Sequence, residues 1–402
     1  MIGNKTAKAI ANNSTWNQLK VLDLSDNQIT DEGARAFGCH VAFVNLTNMG
    51  LSGNPISDEV AFYIRSNPVW KHSIQLNLPE RILDQVFSPY LRGWSLESVI
   101  DLDLANIRFN RAQDLIADRI ALNWRNMSKL NLSNCDLSDE SGSKISNNTA
   151  WRNLQELNLS KNQIGDQSAI ALGFNKFSSN LKKLNLESNK ISDLAGVKIG
   201  SNKSWTKLEE HLSSNQIGDK SVVVITNNTK WRNLKKLNLS RNKIGAEGGI
   251  VLGKNGFWFA LEEFDLSYNK LGEKAAIAIG ENTAWNNLAA LTLRDNNIGD
   301  EGGSAISKNT TWKKLLKLDL SKNWIGKNTS IQMSQNSTWA NLTEICLNTN
   351  QIDAEGAGYL SNAKTWTLLR IRDLSWNNIG EKGTEYLSSN QTWANLQTLD
   401  LS

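Results

Sequence analysis

Histidine and cysteine are the residues most often recruited for chemistry, and this chain of 402 residues holds three of each. Cys39 and His40 are neighbours, the one place where a thiol nucleophile and an imidazole base meet. In an extended segment adjacent side chains point apart, so the pair has poor geometry for sharing a proton. His72, His211, Cys135 and Cys346 stand apart, without the spacing of a zinc site. No serine occupies a nucleophile elbow. Gly248-Gly-Ile-Val-Leu-Gly253-Lys254-Asn255 imitates a phosphate-binding loop. It ends in Asn255 where magnesium would need Ser or Thr, and its surroundings are patterned as helix. The expectation is a protein that is not an enzyme, with no catalytic residues, metal, cofactor or small-molecule substrate.

Residues suited to recognition remain. Binding energy at protein interfaces concentrates in Trp, Tyr and Arg. Arg241, Tyr268, Arg294, Lys322, Trp324 and Trp376 are the candidates for contacting a protein partner. What singles them out is their departure from a repeating background.

That background is the phrase L-x-x-L-x-L-S-x-N-x-I, whose central leucine runs from Leu24, Leu51 and Leu78 through Leu374 to Leu401. Eleven of the fourteen intervals are 27 residues, two are 26 and one is 28. A fixed period of this size marks a solenoid, in which each unit buries its apolar face against its neighbours. In Leu154-Gln-Glu-Leu157-Asn-Leu159 the alternation sends Leu157 and Leu159 to one side of a short strand and Asn158 to the other. Successive strands in such a stack are parallel, so each needs a crossover. Gly165–Gly173 supplies one as a helix, with Asp166 as its N-cap and Ala169 and Leu172 facing inward.

Small residues at the Ala169 position (Ala34, Gly249, Ala276, Gly303, Ala357) would let the helix lie close against the sheet. Asparagines near the helix end (Asn175, Asn202, Asn228, Asn282, Asn309, Asn336) suit a left-handed C-terminal cap. Another asparagine, three residues past the central leucine in eleven of fourteen units, predicts a ladder of buried amides bonded to the bends. Tryptophan stands eight residues before the central leucine in eleven of fifteen units, with Trp205 a displaced twelfth. Each indole buries about 150–250 Å², which predicts a stacked spine in the core.

The phrase resembles the leucine-rich repeat family over essentially the whole chain. The long second half of each unit, as in Ile298-Gly-Asp-Glu-Gly-Gly-Ser-Ala-Ile306, is similar to the ribonuclease-inhibitor-like subclass. Ribonuclease inhibitors, the sensor ends of NOD-like immune receptors, Ran GTPase activators and GALA-type bacterial effectors belong there. The resemblance implies an α/β leucine-rich repeat solenoid acting as a non-enzymatic scaffold for protein–protein interaction. A bacterial effector is one version of that role. The sensor segment of a NOD-like receptor and a GTPase-activating protein of the Ran-activator type are alternatives. The Ran activators carry an acidic C-terminal tail, and this chain has no acidic run.

About fifteen units of 27 residues, at about 4.8 Å per strand, would make a concave parallel sheet roughly 70 Å long. Helices are wider than strands, so convex helices would curve the stack into a horseshoe, a single domain over 1–402. The net charge of +4, from 44 basic and 40 acidic residues well mixed along the chain, favours neither nucleic acid nor membrane. No apolar run approaches the length of a membrane span. The start lacks a signal-peptide pattern, and three scattered cysteines fit a reducing compartment. Together these predict a cytoplasmic protein, in a host cytosol if the chain is an effector.

From 38 to 134 the repeats are irregular: all four prolines lie here, and Arg81 takes a ladder position. Ile2-Gly3-Asn4 aligns with Ile29-Thr30-Asp31, and Leu401-Ser402 falls inside a strand, so both ends are expected to be cut within a repeat. Arg372 stands where other units place a strand leucine, and a local shift that moves Ile371 into the core is the expected remedy.

Overall fold

In the computed structural model the described residues are 1–39, 126–206 and 208–402, together with 43, 45, 46, 48–51, 53–57, 60, 63, 64, 75–77, 101–103 and 105. His40, His72, Arg81, Trp70, Trp124 and most of the irregular segment 38–134 lie outside them. The chain forms two compact units, Met1–Asn162 and Gln163–Ser402.

In the first unit, helix α1 (Asn4–Ala11) precedes β1 (Val21–Asp23) and α2 (Asp31–Cys39). Then come β2 (Asn48–Gly50), β3 (Gln75–Asn77), β4 (Asp101–Asp103), β5 (Lys129–Asn131), α3 (Asp139–Ser146) and β6 (Glu156–Asn158). Strands β1, β2 and β3 pair in parallel, as do β4, β5 and β6. Leu24, Ile29, Phe37 and Leu51 are buried in one apolar cluster.

In the second unit strands alternate with helices throughout. The strands are β7 (Lys183–Asn185), β8 (Glu209–His211), β9 (Lys236–Asn238), β10 (Glu263–Asp265), β11 (Ala290–Thr292), β12 (Lys317–Asp319), β13 (Glu344–Cys346), β14 (Ile371–Asp373) and β15 (Thr398–Asp400). The helices are α4 (Asp166–Phe174), α5 (Asp193–Gly200), α6 (Asp219–Asn227), α7 (Ala246–Gly253), α8 (Gly272–Gly280), α9 (Gly299–Ser307), α10 (Lys327–Gln335), α11 (Ala354–Ser361) and α12 (Gly380–Ser388). Each strand pairs in parallel with the next, and Glu263 opposite Ala290 shows the step of one repeat. The architecture is an α/β solenoid of about twelve helix–strand units. The Gly248–Gly253 stretch that imitates a phosphate loop lies within α7.

At the described bends the chain turns left-handed two residues past the central leucine, which ends the strand after three residues. Lys161, Ser188, Ser214, Arg241, Tyr268, Asp295, Lys322, Thr349 and Trp376 all have φ near +55°. The next residue is the ladder asparagine, which holds that turn. Asn242 donates from Nδ2 to the carbonyls of Leu212 (2.9 Å), Leu239 (3.0 Å) and Ser240 (3.1 Å), and its Oδ1 accepts from Ile217 N (3.0 Å). Asn269, Asn296 and Asn323 repeat the donor pattern.

The helix-end asparagines form a second ladder instead of left-handed caps. Asn228 has φ −79° and ψ 90°, and Asn175 and Asn336 are extended too. Asn282 donates to Gly253 O (2.7 Å) and Asn255 O (2.8 Å) and accepts from Ala284 N (2.9 Å) and Trp285 N (3.2 Å). Carbonyls left unpaired at helix ends find their donors here, so extended backbone suffices.

Helix starts also differ from expectation. Gly165 is the N-cap of α4, and Asp166, one residue inside, accepts from Ser192 N (2.8 Å) and Ser192 Oγ (2.6 Å) of the following unit. The carboxylate therefore ties one helix start to the next. Ala169 and Leu172 are buried as expected. The small residues admit the adjacent helix: a Cβ on Gly249 would fall 2.4 Å from Ala275 Cβ, and one on Gly303 2.5 Å from Thr329 Oγ1.

Trp151, Trp205, Trp231, Trp258, Trp285, Trp312, Trp339 and Trp366 are fully buried, whereas Trp16 is 45% exposed. Trp285 and Trp312 stack at 6.4 Å and 12°, and Phe264 meets Trp258 and Trp285 edge-on. Trp205 Nε1 donates to Ser178 Oγ (3.3 Å), while the other fully buried indoles leave Nε1 unpartnered. These rings act as apolar bulk, each worth about 3–5 kcal/mol against truncation to alanine.

Arg372 overturns the expected register shift. Its Cα stays opposite Ile345, its side chain is 0% exposed, and Ile371 remains 38% exposed. Pairing of β14 with both neighbours fixes the register. A one-residue slip would turn every side chain of the strand to the wrong face.

Candidate partner-binding face

The outward side of the second unit is built from short columns. Just before the central leucine stand Asn238, Asp265, Asp319 and Asp373, and just after it Ser240, Ser267, Ser321 and Ser375. Each serine donates to the acid or amide of its own unit, as Ser267 N (2.9 Å) and Ser267 Oγ (2.6 Å) do to Asp265 Oδ1. Two residues earlier, Lys236 pairs with Glu263 and Lys317 with Glu344, both at 2.7 Å. Most of this face is thus internally satisfied.

Four repeats break the pairing, with Asn185 and Glu187 around Leu186 and His211 and Ser213 around Leu212 in two of them. In the remaining two, Thr292 and Arg294 or Cys346 and Asn348 replace the acid and serine. The Cys346 thiol is pushed up to about 12, first by burial and then by the carboxylates of Asp319, Glu344 and Asp373. It is therefore a protonated thiol and no nucleophile at neutral pH. Burial also raises Asp319, only partly offset by its bonds to Ser321 and by the nearby charge of Arg294.

Arg294, without a column acid of its own, reaches back one unit. Its Nε donates to Tyr268 Oη (3.0 Å), and Arg241 Cζ sits 4.0 Å from the centre of the same ring. Three of the six candidates, Arg241, Tyr268 and Arg294, are brought together around one phenol. Lys322, Trp324 and Trp376 are exposed, the two indoles at 59% and 76%. Among the described residues no hydrogen bond, ring stacking or cation–π contact joins either indole to the Tyr268 cluster.

Sequence reasoning missed the backbone under these side chains. Arg241 (φ 54°), Tyr268 (55°), Lys322 (53°), Trp324 (58°) and Trp376 (55°) are all left-handed. For a bulky residue this conformation costs about 1–2 kcal/mol relative to the right-handed region. The sequence carried a trace of the Arg294 break: Thr-Leu-Arg stands where other units read Asp-Leu-Ser or Asn-Leu-Ser.

Among the described residues no group of three or more His, Cys, Asp and Glu could hold a metal ion. Nor is any helix among them long and apolar enough to cross a membrane.

Family models for leucine-rich repeats match the sequence in five stretches, 152–199 as two copies and 17–38, 125–146, 232–253 and 286–307 as single repeats. No curated protein matches the chain in sequence. Among solved structures it is similar to an internalin, InlF, from Listeria monocytogenes, at 18% identity and a TM-score of 0.50, covering 96% of this chain and 93% of that one. It is also similar to the plant peptide hormone receptor RGFR1, solved in complex with RGF2, at 16% identity and a TM-score of 0.47, over 96% and 63% of the two chains. A TDR receptor gives 14% identity and a TM-score of 0.48, over 94% and 67%. The matched repeats, together with the stacked strand–helix units and their asparagine ladder, make this chain a leucine-rich repeat protein.

Proposed function

We propose that the chain is a non-enzymatic scaffold that binds a protein partner through the outward strand face and the adjacent bends of its second unit, with Arg241, Tyr268, Arg294, Lys322, Trp324 and Trp376 as the contact residues. One observation carries the reading. Tyr268, Trp324 and Trp376 are large aromatics held on left-handed backbone, where a bend would favour glycine or asparagine. The bends at Ser188, Ser214 and Thr349 are left-handed too, so the fold sets this backbone, and what departs is the large aromatic side chain placed on it, exposed at Trp324 and Trp376 and half-buried at Tyr268. The reading takes the repeats as ribonuclease-inhibitor-like, supported by the eight- and nine-residue helices between strands. It makes the partner a protein, and the compartment cytoplasmic.

The test is the triple variant Tyr268→Ala, Trp324→Ala, Trp376→Ala, compared with wild type in affinity capture from cell lysate read by mass spectrometry. Loss of partners that wild type retains is expected. A variant that folds and retains every one of them removes this face from the reading.

A further inference from the structure

Charge on the second unit is segregated in a way the partner-binding reading does not require. Across the eight units from Leu186 to Leu374, the positions two and four residues past the central leucine form the ridge of the bends. They hold five cations, Lys190, Arg241, Lys243, Lys270 and Lys322, against a single carboxylate, Asp295. All five cations are exposed. In the strand columns beside the ridge, Lys235–Glu262, Lys236–Glu263 and Lys317–Glu344 are ion-paired, and Asp265, Asp319 and Asp373 are held by the serines of their own units. The ridge cations are not ion-paired: among the described residues none of the five lies within ion-pair distance of a carboxylate. Lys243 bonds the neutral Gln216 (2.9 Å), and Arg241 rests on the Tyr268 ring. Tyr268, Trp324 and Trp376 occupy the same two positions, so aromatic and cationic side chains share one edge.

We infer that this ridge receives an acidic, aromatic-bearing extended segment of a protein partner, an inference that rests on the partner-binding reading above. Carboxylates of the segment pair with Arg241, Lys243, Lys270 and Lys322, and its apolar side chains lie on Trp324 and Trp376. The dimensions agree. Seven strand steps at about 4.8 Å separate the unit of Lys190 from that of Trp376, about 34 Å, the span of roughly ten extended residues. Arg241 is already oriented by its ring, and Arg294 orients that ring, so little side-chain freedom remains to be lost there on binding. Uncompensated cations over such a length also accelerate encounter with an acidic partner, an effect that weakens with salt.

The test uses the full chain, three fluorescein-labelled probes and the charge-reversal variant Lys243→Glu, Lys270→Glu, Lys322→Glu. The probes are a decapeptide of alternating Glu and Phe, its Lys-for-Glu counterpart, and a ten-nucleotide oligothymidylate. Fluorescence anisotropy at 50 and 300 mM NaCl is expected to show the acidic peptide binding at least tenfold tighter than the basic one. Tenfold weakening in the variant and at high salt is expected as well. Equal binding of the two peptides, or no effect of the variant, overturns the inference. Tighter binding of the oligonucleotide than of the acidic peptide overturns it in favour of nucleic acid. Lysate capture separates the two readings. Partners lost from the aromatic triple variant but kept by the charge-reversal variant leave the scaffold standing and remove the acidic segment. Partners kept by both remove both.

Discussion

The Arg372 guanidinium carbon lies 4.0 Å from the centre of the Trp393 ring and 5.6 Å from that of Trp366. The side chain is completely buried, and Nε, Nη1 and Nη2 have no hydrogen-bond partner. Burial pushes the guanidinium down to about 9, so at neutral pH it is still charged. Two indole faces return about 2 kcal/mol or more of cation–π attraction, less than the desolvation of an unpaired buried cation costs.

Arg372→Leu restores the residue type of the other units and is expected to stabilise the second unit by about 1–4 kcal/mol, read as a higher urea midpoint at pH 7.5. For a base whose folded pKa is lowered, the penalty is complete below that pKa. It fades as pH rises from about 9 towards the ordinary value of 12.5. The advantage of the leucine variant therefore shrinks between pH 9 and pH 11. A lower midpoint for Arg372→Leu would show that the guanidinium supports the fold.

Asn242→Ala removes one rung of the bend ladder. It leaves Ile217 N–H without its acceptor, while the carbonyls of Leu212, Leu239 and Ser240 keep donors from Asn215, Asn269 and Ser214. With one buried donor left unsatisfied, a loss of about 1–3 kcal/mol is expected. Chemical denaturation measures it, and a loss under about 1 kcal/mol would mean that water replaces the amide at no cost.

Asp300 links α9 to the start of α10, accepting from Gly326 N (2.9 Å), Asn328 N (3.0 Å), Thr329 N (2.9 Å) and Thr329 Oγ1 (2.7 Å). Burial alone would raise its carboxyl, but these bonds outweigh it and hold the pKa below 3.8. A carboxylate with a lowered pKa contributes stability above its unfolded value and loses it as pH falls through the folded one. Asp300→Asn is expected to cost about 1 kcal/mol at pH 7, allowing for partial exposure to water. That difference closes below about pH 4. Parallel urea curves at pH 7 and pH 3 check both statements, and an equal gap at the two pH values would contradict the second.

Trp376 offers a test of stored strain. With φ at 55° and 76% of its surface in water, its indole contributes little to packing. Trp376→Gly relieves about 1–2 kcal/mol of left-handed cost against about 0.5–1 kcal/mol of added chain entropy. The variant is expected to melt no lower than wild type, whereas Trp376→Ala gains nothing. A clear drop for the glycine variant would show that the indole is a structural residue.

Period, strand direction, helix crossover, bend ladder and buried tryptophans were all legible in the residues, because each follows from a local pattern repeated many times. The six candidate residues were legible as departures from that pattern. What they touch was not, since Arg294 meets Tyr268 only because consecutive units stack in parallel register. The same cause explains three misjudged details. Asp166 reads as a cap within its own helix but serves the next one, and the helix-end asparagines read as local turns but bond across units. Arg372 reads as a residue that must escape, yet sheet pairing on both sides holds it in the core.

The sequence by itself determined the repeat and its apolar face, since periodicity decides which side chains must avoid water. Only the tertiary structure decided which polar groups bond between units, which bends are left-handed, and which cations remain without a carboxylate. Those outcomes depend on distances between residues 24 to 30 positions apart, and stacking sets such distances.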